Sequence, residues 1–136
     1  MSMSMSEGKG QRRKGNGQTF EDLLVWQKGM DLVTDVYGIC RVDPLSRDFG
    51  LRDQLQRAAV SIPANIAEGY ERGSRKEYIQ FLVIAKGSAG ELRCLLQVAQ
   101  RLEYLDQNRS QELIARATEV SKMLKGLMIS LKENAR

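Results

Sequence analysis

The segment GLRDQLQRAAVSIPANIAEG, residues 50–69, constrains the fold more than any other part of the chain. Leu51, Leu55, Ala58, Ala59, Ile62 and Ile66 recur there at the spacing of one helical face. Arg57, Ser61, Asn65 and Glu68 follow at helical steps of their own and stack into a second, polar stripe beside the first. A face bathed in water is usually rich in long charged side chains. This stripe carries a hydroxyl, an amide and the small Ala64, which suits a surface that something covers. A helix with two faces to bury needs more partners than one small bundle supplies. The stripe is therefore expected at a packing interface, within the chain or between copies of it.

Three further helices are predicted around this one, in a composition that favours helix and holds only two prolines. The first spans about 19 or 20 to 40 or 41, capped by Thr19 with Glu21 and Asp22 at the positive end of the helix dipole. Its buried side reads Phe20, Leu23, Trp26 or Gln27, Met30, Val33, Tyr37 and Cys40, and Asp43-Pro44 stops it. The second spans about 48–72 with Pro63 inside it. A kink there is expected rather than a break, because both stripes keep their phase across the proline. Ser74 and Glu77 form a capping box that opens the third, whose seam is Tyr78, Phe81, Leu82, Ala85, Ala89, Leu92, Leu96 and Ala99, ending near Tyr104.

Gly87, Ser88, Ala89 and Gly90 are small residues in the middle of that helix. Each glycine costs about 1 kcal/mol relative to alanine, which close approach of another helix would offset. The fourth helix spans about 110–134 with the seam Leu113, Ala117, Val120, Leu124, Leu127 and Leu131. Short connections then give an all-α, up-down-up-down antiparallel four-helix bundle over 19–136. Residues 1–18 lack apolar periodicity and read as a disordered basic tail.

The chemistry is bounded as firmly. There is no histidine, and Cys40 and Cys94 stand alone, without the spacing of a zinc site. No pair of residues stands out as nucleophile and base, so no catalytic, cofactor or metal site is expected and the chain does not read as an enzyme. Both thiols read as small buried hydrophobes. No apolar run is long enough to cross a bilayer, and the start lacks a signal-peptide core, so a cytoplasmic location is expected. The formal charge is +4, of which the first nineteen residues carry +3 through Lys9, Arg12, Arg13 and Lys14 against Glu7. A body this balanced does not advertise nucleic-acid binding by net charge alone.

Two sets of candidate site residues emerge. Ser88 and Glu91 share a face of the third helix and can meet the polar stripe, with Glu91 opposite Arg57 of its own chain or of a neighbouring copy. The candidate phosphate contacts are Arg12, Arg13 and Lys14 in the tail, Arg47 and Arg52 near the start of the second helix, Arg72, Arg75 and Lys76 at the turn after it, and Arg93 and Arg101 on the third. Tyr70 and Tyr78 suit base stacking or helix packing equally. No RRM, KH, homeodomain or zinc-finger signature is present.

QLQRAAVSIPANIAEG, with VWQKGMDLV before it and FLVIAKGSAGEL after it, resembles the four-helix-bundle family named for proteins encoded in intervening sequences of 23S ribosomal RNA genes. That family includes, or is closely related to, the accessory variability determinants that assist reverse transcriptases of diversity-generating retroelements. The resemblance runs from about Phe20 to Leu131. It implies a ring-like homo-oligomer, a pentamer in relatives, and a noncatalytic protein that binds RNA or another nucleic acid. The alternatives it leaves open are an accessory subunit of a retroelement reverse transcriptase and a purely structural protein–protein scaffold.

Overall fold

The computed structural model describes residues 18–134, so the expected tail lies outside the described residues except for Gln18. All regular structure among them is helical: α1 (Leu24–Ile39), α2 (Phe49–Glu71), α3 (Arg75–Arg101) and α4 (Gln107–Glu133), with short 3-10 turns at Phe20–Asp22 and Leu45–Arg47. Cross-helix contacts give the topology. Gly29 of α1 lies against Ile62 and Pro63 of α2, while Cys40 approaches Arg52. Ser61 meets Ser88, and Gly69 meets Tyr78 and Phe81. Gln100 meets Ser110, and Arg116 of α4 reaches back to Asp35 of α1. Each pairing runs one helix down as its neighbour runs up, so the four form an antiparallel bundle.

Side-chain caps begin the last three helices. The Asp48 carboxylate accepts from the Leu51 N–H, the Ser74 hydroxyl from the Glu77 N–H, and the Asp106 carboxylate from the Arg109 N–H. Asp48 also accepts from the Tyr104 hydroxyl, at 3.1 Å, which ties the α3–α4 loop to the start of α2. Gly73, at φ +89°, makes the left-handed turn between α2 and α3. α2 is unbroken through Pro63, whose ring is buried against Gly29.

α1 departs from expectation at both its start and its phase. Phe20–Asp22 form a separate turn, where the Asp22 carboxylate accepts from the Thr19 N–H, and Leu23 is extended (φ −75°, ψ 124°). α1 therefore starts at Leu24. Its buried residues are Val25, Gly29, Leu32, Val36, Ile39 and, just beyond, Cys40, whereas Met30 and Tyr37 are exposed. The absent side chain of Gly29 decides the phase: a Cβ there would stand 3.3 Å from Ile62 and 3.5 Å from Pro63, so the glycine side faces α2. α3 and α4 follow their predicted seams, with Leu127 and Leu131 packed at the margin, Phe81 half-buried against Gly69, and Met128 added to the core. No helix among the described residues is long and apolar enough to cross a membrane.

The tightest contact is Gly69 against α3. A Cβ there would fall 2.7 Å from the Phe81 Cβ and 3.2 Å from the Tyr78 carbonyl, atoms fixed to the α3 backbone. Gly69→Ala is expected to destabilise the bundle by about 1–3 kcal/mol, because overpacking outweighs the ~1 kcal/mol gain in helix propensity. Gly126→Ala, which meets nothing within 4 Å, should be neutral or stabilising. Urea unfolding of the two variants measures both, and equal effects would contradict the packing argument.

Burial pushes the Cys40 thiol from 9.0 to about 11, against a partial opposing effect of Arg52, and the Tyr78 hydroxyl from 10.0 to about 12. In each case the unfolded chain ionises first. The stability these groups contribute is complete below pH 9.0 and falls as pH rises toward 11–12. Thermal melts by circular dichroism should show this decline, and Tyr78→Phe should lessen it above pH 10.0.

Candidate functional site: a polar seam, an apolar stripe and a basic groove

Part of the polar stripe is consumed inside the chain. The hydroxyls of Ser61 and Ser88 lie 2.7 Å apart across α2 and α3. The Asn65 amide donates to the Ser61 hydroxyl at 2.9 Å and to the Ser61 carbonyl at 2.7 Å. Ser88 is nearly buried, so this short chain of hydrogen bonds satisfies polar atoms that would otherwise oppose packing. Glu68 is exposed and pairs with Arg72 at 3.3 Å, one helical turn on. The expected opposition of Arg57 and Glu91 is not made within the chain: both are exposed, and neither forms an ion pair among the described residues.

Beside this seam, α3 turns outward a stripe that is short of charge. Val83, Ile84, Gly87, Glu91, Cys94, Val98 and Leu102 fall on one side of the helix. Val83 is 55% exposed, Ile84 49% and Leu102 50%. Gly87 sits in the middle and meets nothing within 4 Å, so no helix of its own bundle offsets the cost of that glycine. The other mid-helix glycine, Gly90, is approached by the guanidinium of Arg93, whose Nη2 lies 3.6 Å from where a Cβ would stand. The close helix approach expected at these glycines is therefore not made by the subunit itself. Cys94, expected to be buried, is exposed in this stripe, while Cys40 is buried as anticipated.

The basic candidates divide by their partners. Arg47 pairs with Asp43 at 2.9 Å. Arg52 pairs with Asp53 at 3.4 Å, donates to the Ser46 carbonyl and lies over the Phe49 ring. Arg72 is held by Glu68 and lies over Phe81. Arg75, Lys76 and Arg101 are exposed and form no ion pair among the described residues. Arg12, Arg13 and Lys14 lie outside the described residues. Tyr70 and Tyr78 pack edge to face at 5.8 Å, and Tyr78 is buried, so packing rather than base stacking accounts for it. The Tyr70 hydroxyl donates to the Gln18 carbonyl at 3.3 Å.

The structure adds cations that periodicity did not single out. Gln100 and Arg93 share the flank of α3 that faces α4, and Lys86 precedes Arg93 by two turns on that flank. On α4, Lys125 and Lys132 lie on the flank that faces α3, with Lys122 just outside it. None of these five cations forms an ion pair among the described residues, and no acidic residue falls between them on either flank. Three acids of α1 and α4 are engaged away from these flanks: Asp35 with Arg109 and Arg116, Glu112 with Arg109, and Glu119 with Lys28. The Nε of Arg93 is enclosed without a hydrogen-bond partner, as is the Ser121 hydroxyl on α4. The available signal was the seven-residue repeat of Lys86 with Arg93 and of Lys125 with Lys132.

Comparison with known proteins places this geometry in context. The crystal structure of a protein of unknown function from the S23 ribosomal protein family of Bacteroides thetaiotaomicron VPI-5482 superposes with a TM-score of 0.72 at 26% identity. The match covers 77% of this chain and 98% of that one. No curated protein matches the sequence. A family model described as 23S rRNA-intervening sequence protein matches residues 21–126, which takes in all of α1, α2 and α3 and most of α4. The chain belongs to the 23S rRNA-intervening sequence protein family.

Proposed function

We propose that this protein is a noncatalytic, self-associating RNA-binding protein. The observation that carries the reading is the gathering of unpaired cations on the facing flanks of α3 and α4. The ion-paired acids lie on α1, α2, α4 and the α1–α2 connection, whereas Arg75, Lys76, Lys86, Arg93, Arg101, Lys122, Lys125 and Lys132 form no ion pair among the described residues. Unpaired cations attract phosphate even where net charge is small. Membership of a family named for intervening sequences of 23S rRNA supports RNA as the ligand. Self-association is supported by the exposed apolar stripe around Gly87, with Arg57 and Glu91 free to pair between copies. We take the assembly to be a closed ring, with five copies the size implied by the resemblance. A ring would present its basic surfaces several times over, so weak contacts would add by avidity.

Fluorescence anisotropy with a labelled structured RNA tests binding. Affinity is expected to fall at least about tenfold between roughly 50 and 200 mM salt. Absence of binding at the lowest salt, with the assembly intact, would overturn the reading and leave a protein partner to be sought.

Light scattering tests the assembly. Gly87→Arg is expected to lower the particle mass to that of the single chain, while Gly126→Arg, at an equally open position on α4, should leave it unchanged. The exposed Cys94 should react quickly with a maleimide in the dissociated variant and slowly in the assembled protein. An unaltered mass in the Gly87 variant would remove α3 from the interface.

A further inference from the structure

We propose that the groove between α3 and α4 is a track for the phosphate backbone of double-helical RNA, contacted by Lys86, Arg93, Lys122, Lys125 and Lys132. This rests on the RNA-binding reading and names where the RNA lies. The contact of Gln100 with Ser110 sets the register of the two antiparallel helices. Counting from it places Lys86 level with Leu124 and Lys125, and Arg93 level with Ala117. At 1.5 Å per residue, the row from Lys132 to the level of Arg93 is about 22 Å long. A duplex carries a charge every ~1.7 Å of its axis, so several phosphates fit against a row of that length. No acid falls between these cations on the two flanks, and Glu133 closes the row at the end of α4.

Arg93 gives the track a fixed point. Its guanidinium lies along α3 over Gly90, with Nη2 3.6 Å from where a Cβ would stand, an ordinary contact. Its Nε is enclosed and without an acceptor. With Nε enclosed, the two Nη groups remain for a phosphate to reach, and no acid engages them among the described residues. The groove walls carry Ile79, Gln97, Gln111, Ile114 and Thr118 and no aromatic residue, so unstacked bases find no platform there. Recognition of backbone shape without base readout follows, as expected for an RNA duplex.

The test uses the full chain, a labelled RNA hairpin and a salt series. Lys86→Gln/Lys125→Gln removes two cations from the track. Lys28→Gln/Arg41→Gln removes one from α1 and one just beyond its end, neither of which borders the groove. Circular dichroism checks that both variants keep their helices. The track pair should lose at least about tenfold in affinity near 100 mM salt, with a salt slope lower by about 2, while the Lys28/Arg41 pair stays within about threefold of wild type. Arg93→Lys should keep the slope and still lose several-fold in affinity, because charge remains and the planar fork does not.

Equal losses in the two pairs would overturn the track in favour of a diffuse field. Full affinity in the track pair would overturn the track while leaving RNA binding in place. If the wild-type chain binds no RNA, the RNA occupant is overturned, and inorganic triphosphate then separates the cases. A thermal shift in wild type that is lost in the track pair would retain an anion groove, and no shift would dismiss both.

Discussion

The close approach of α2 to α3 is the contact on which the rest of the bundle depends. Gly69 lets the backbone of α2 come against Tyr78 and Phe81, and Ser61 and Ser88 meet two to three turns away along the same line. Small residues let the two helices approach, and the Asn65–Ser61–Ser88 hydrogen bonds keep polar groups in that narrow space satisfied. Because the contact is pinned at both ends, the outward phase of α3 is pinned as well. The apolar stripe on one side of α3 and the basic flank on the other are both consequences of that phase.

The same constraint separates what was legible in the sequence from what was not. The stripe of α2 was readable because short polar residues recur at helical spacing, and its core face was readable because polar positions interrupt it. α1 was misread in phase because Leu24, Val25, Trp26, Met30, Leu32, Val33, Val36, Tyr37 and Ile39 leave apolar residues on most sides of the helix. Only the fit of Gly29 on Pro63 chooses among them. The vacancy around Gly87 was hidden for a different reason: a glycine's cost is visible in sequence, but what offsets it is not.

Charge shows the limit most clearly. A net charge near zero for the body says little until each acid is assigned its partner, and those assignments cross helices. Asp35 serves two arginines that follow it by more than seventy residues. Once these pairings are removed, the remaining cations have a shape as well as a sign. Arg47, Arg52 and Arg72 leave the set of free cations, and Lys86, Lys122, Lys125 and Lys132 enter it. A loop of basic residues was the easier thing to notice, yet the paired carboxylates at such loops neutralise much of it.

The hydrogen bond between Tyr70 and Gln18 fixes where the chain enters the bundle, beside the end of α2, where α3 begins and α4 finishes. A rotation axis repeats such a point on one rim only. A closed ring of these subunits would therefore have a front and a back. Were the bundles to stand along the ring axis, Gln18 of every copy would lie on one rim, and the α1–α2 and α3–α4 loops would make up the other. Handedness of approach then becomes a property of the object, and a ligand long enough to touch both rims would meet two chemically different surfaces in a set order.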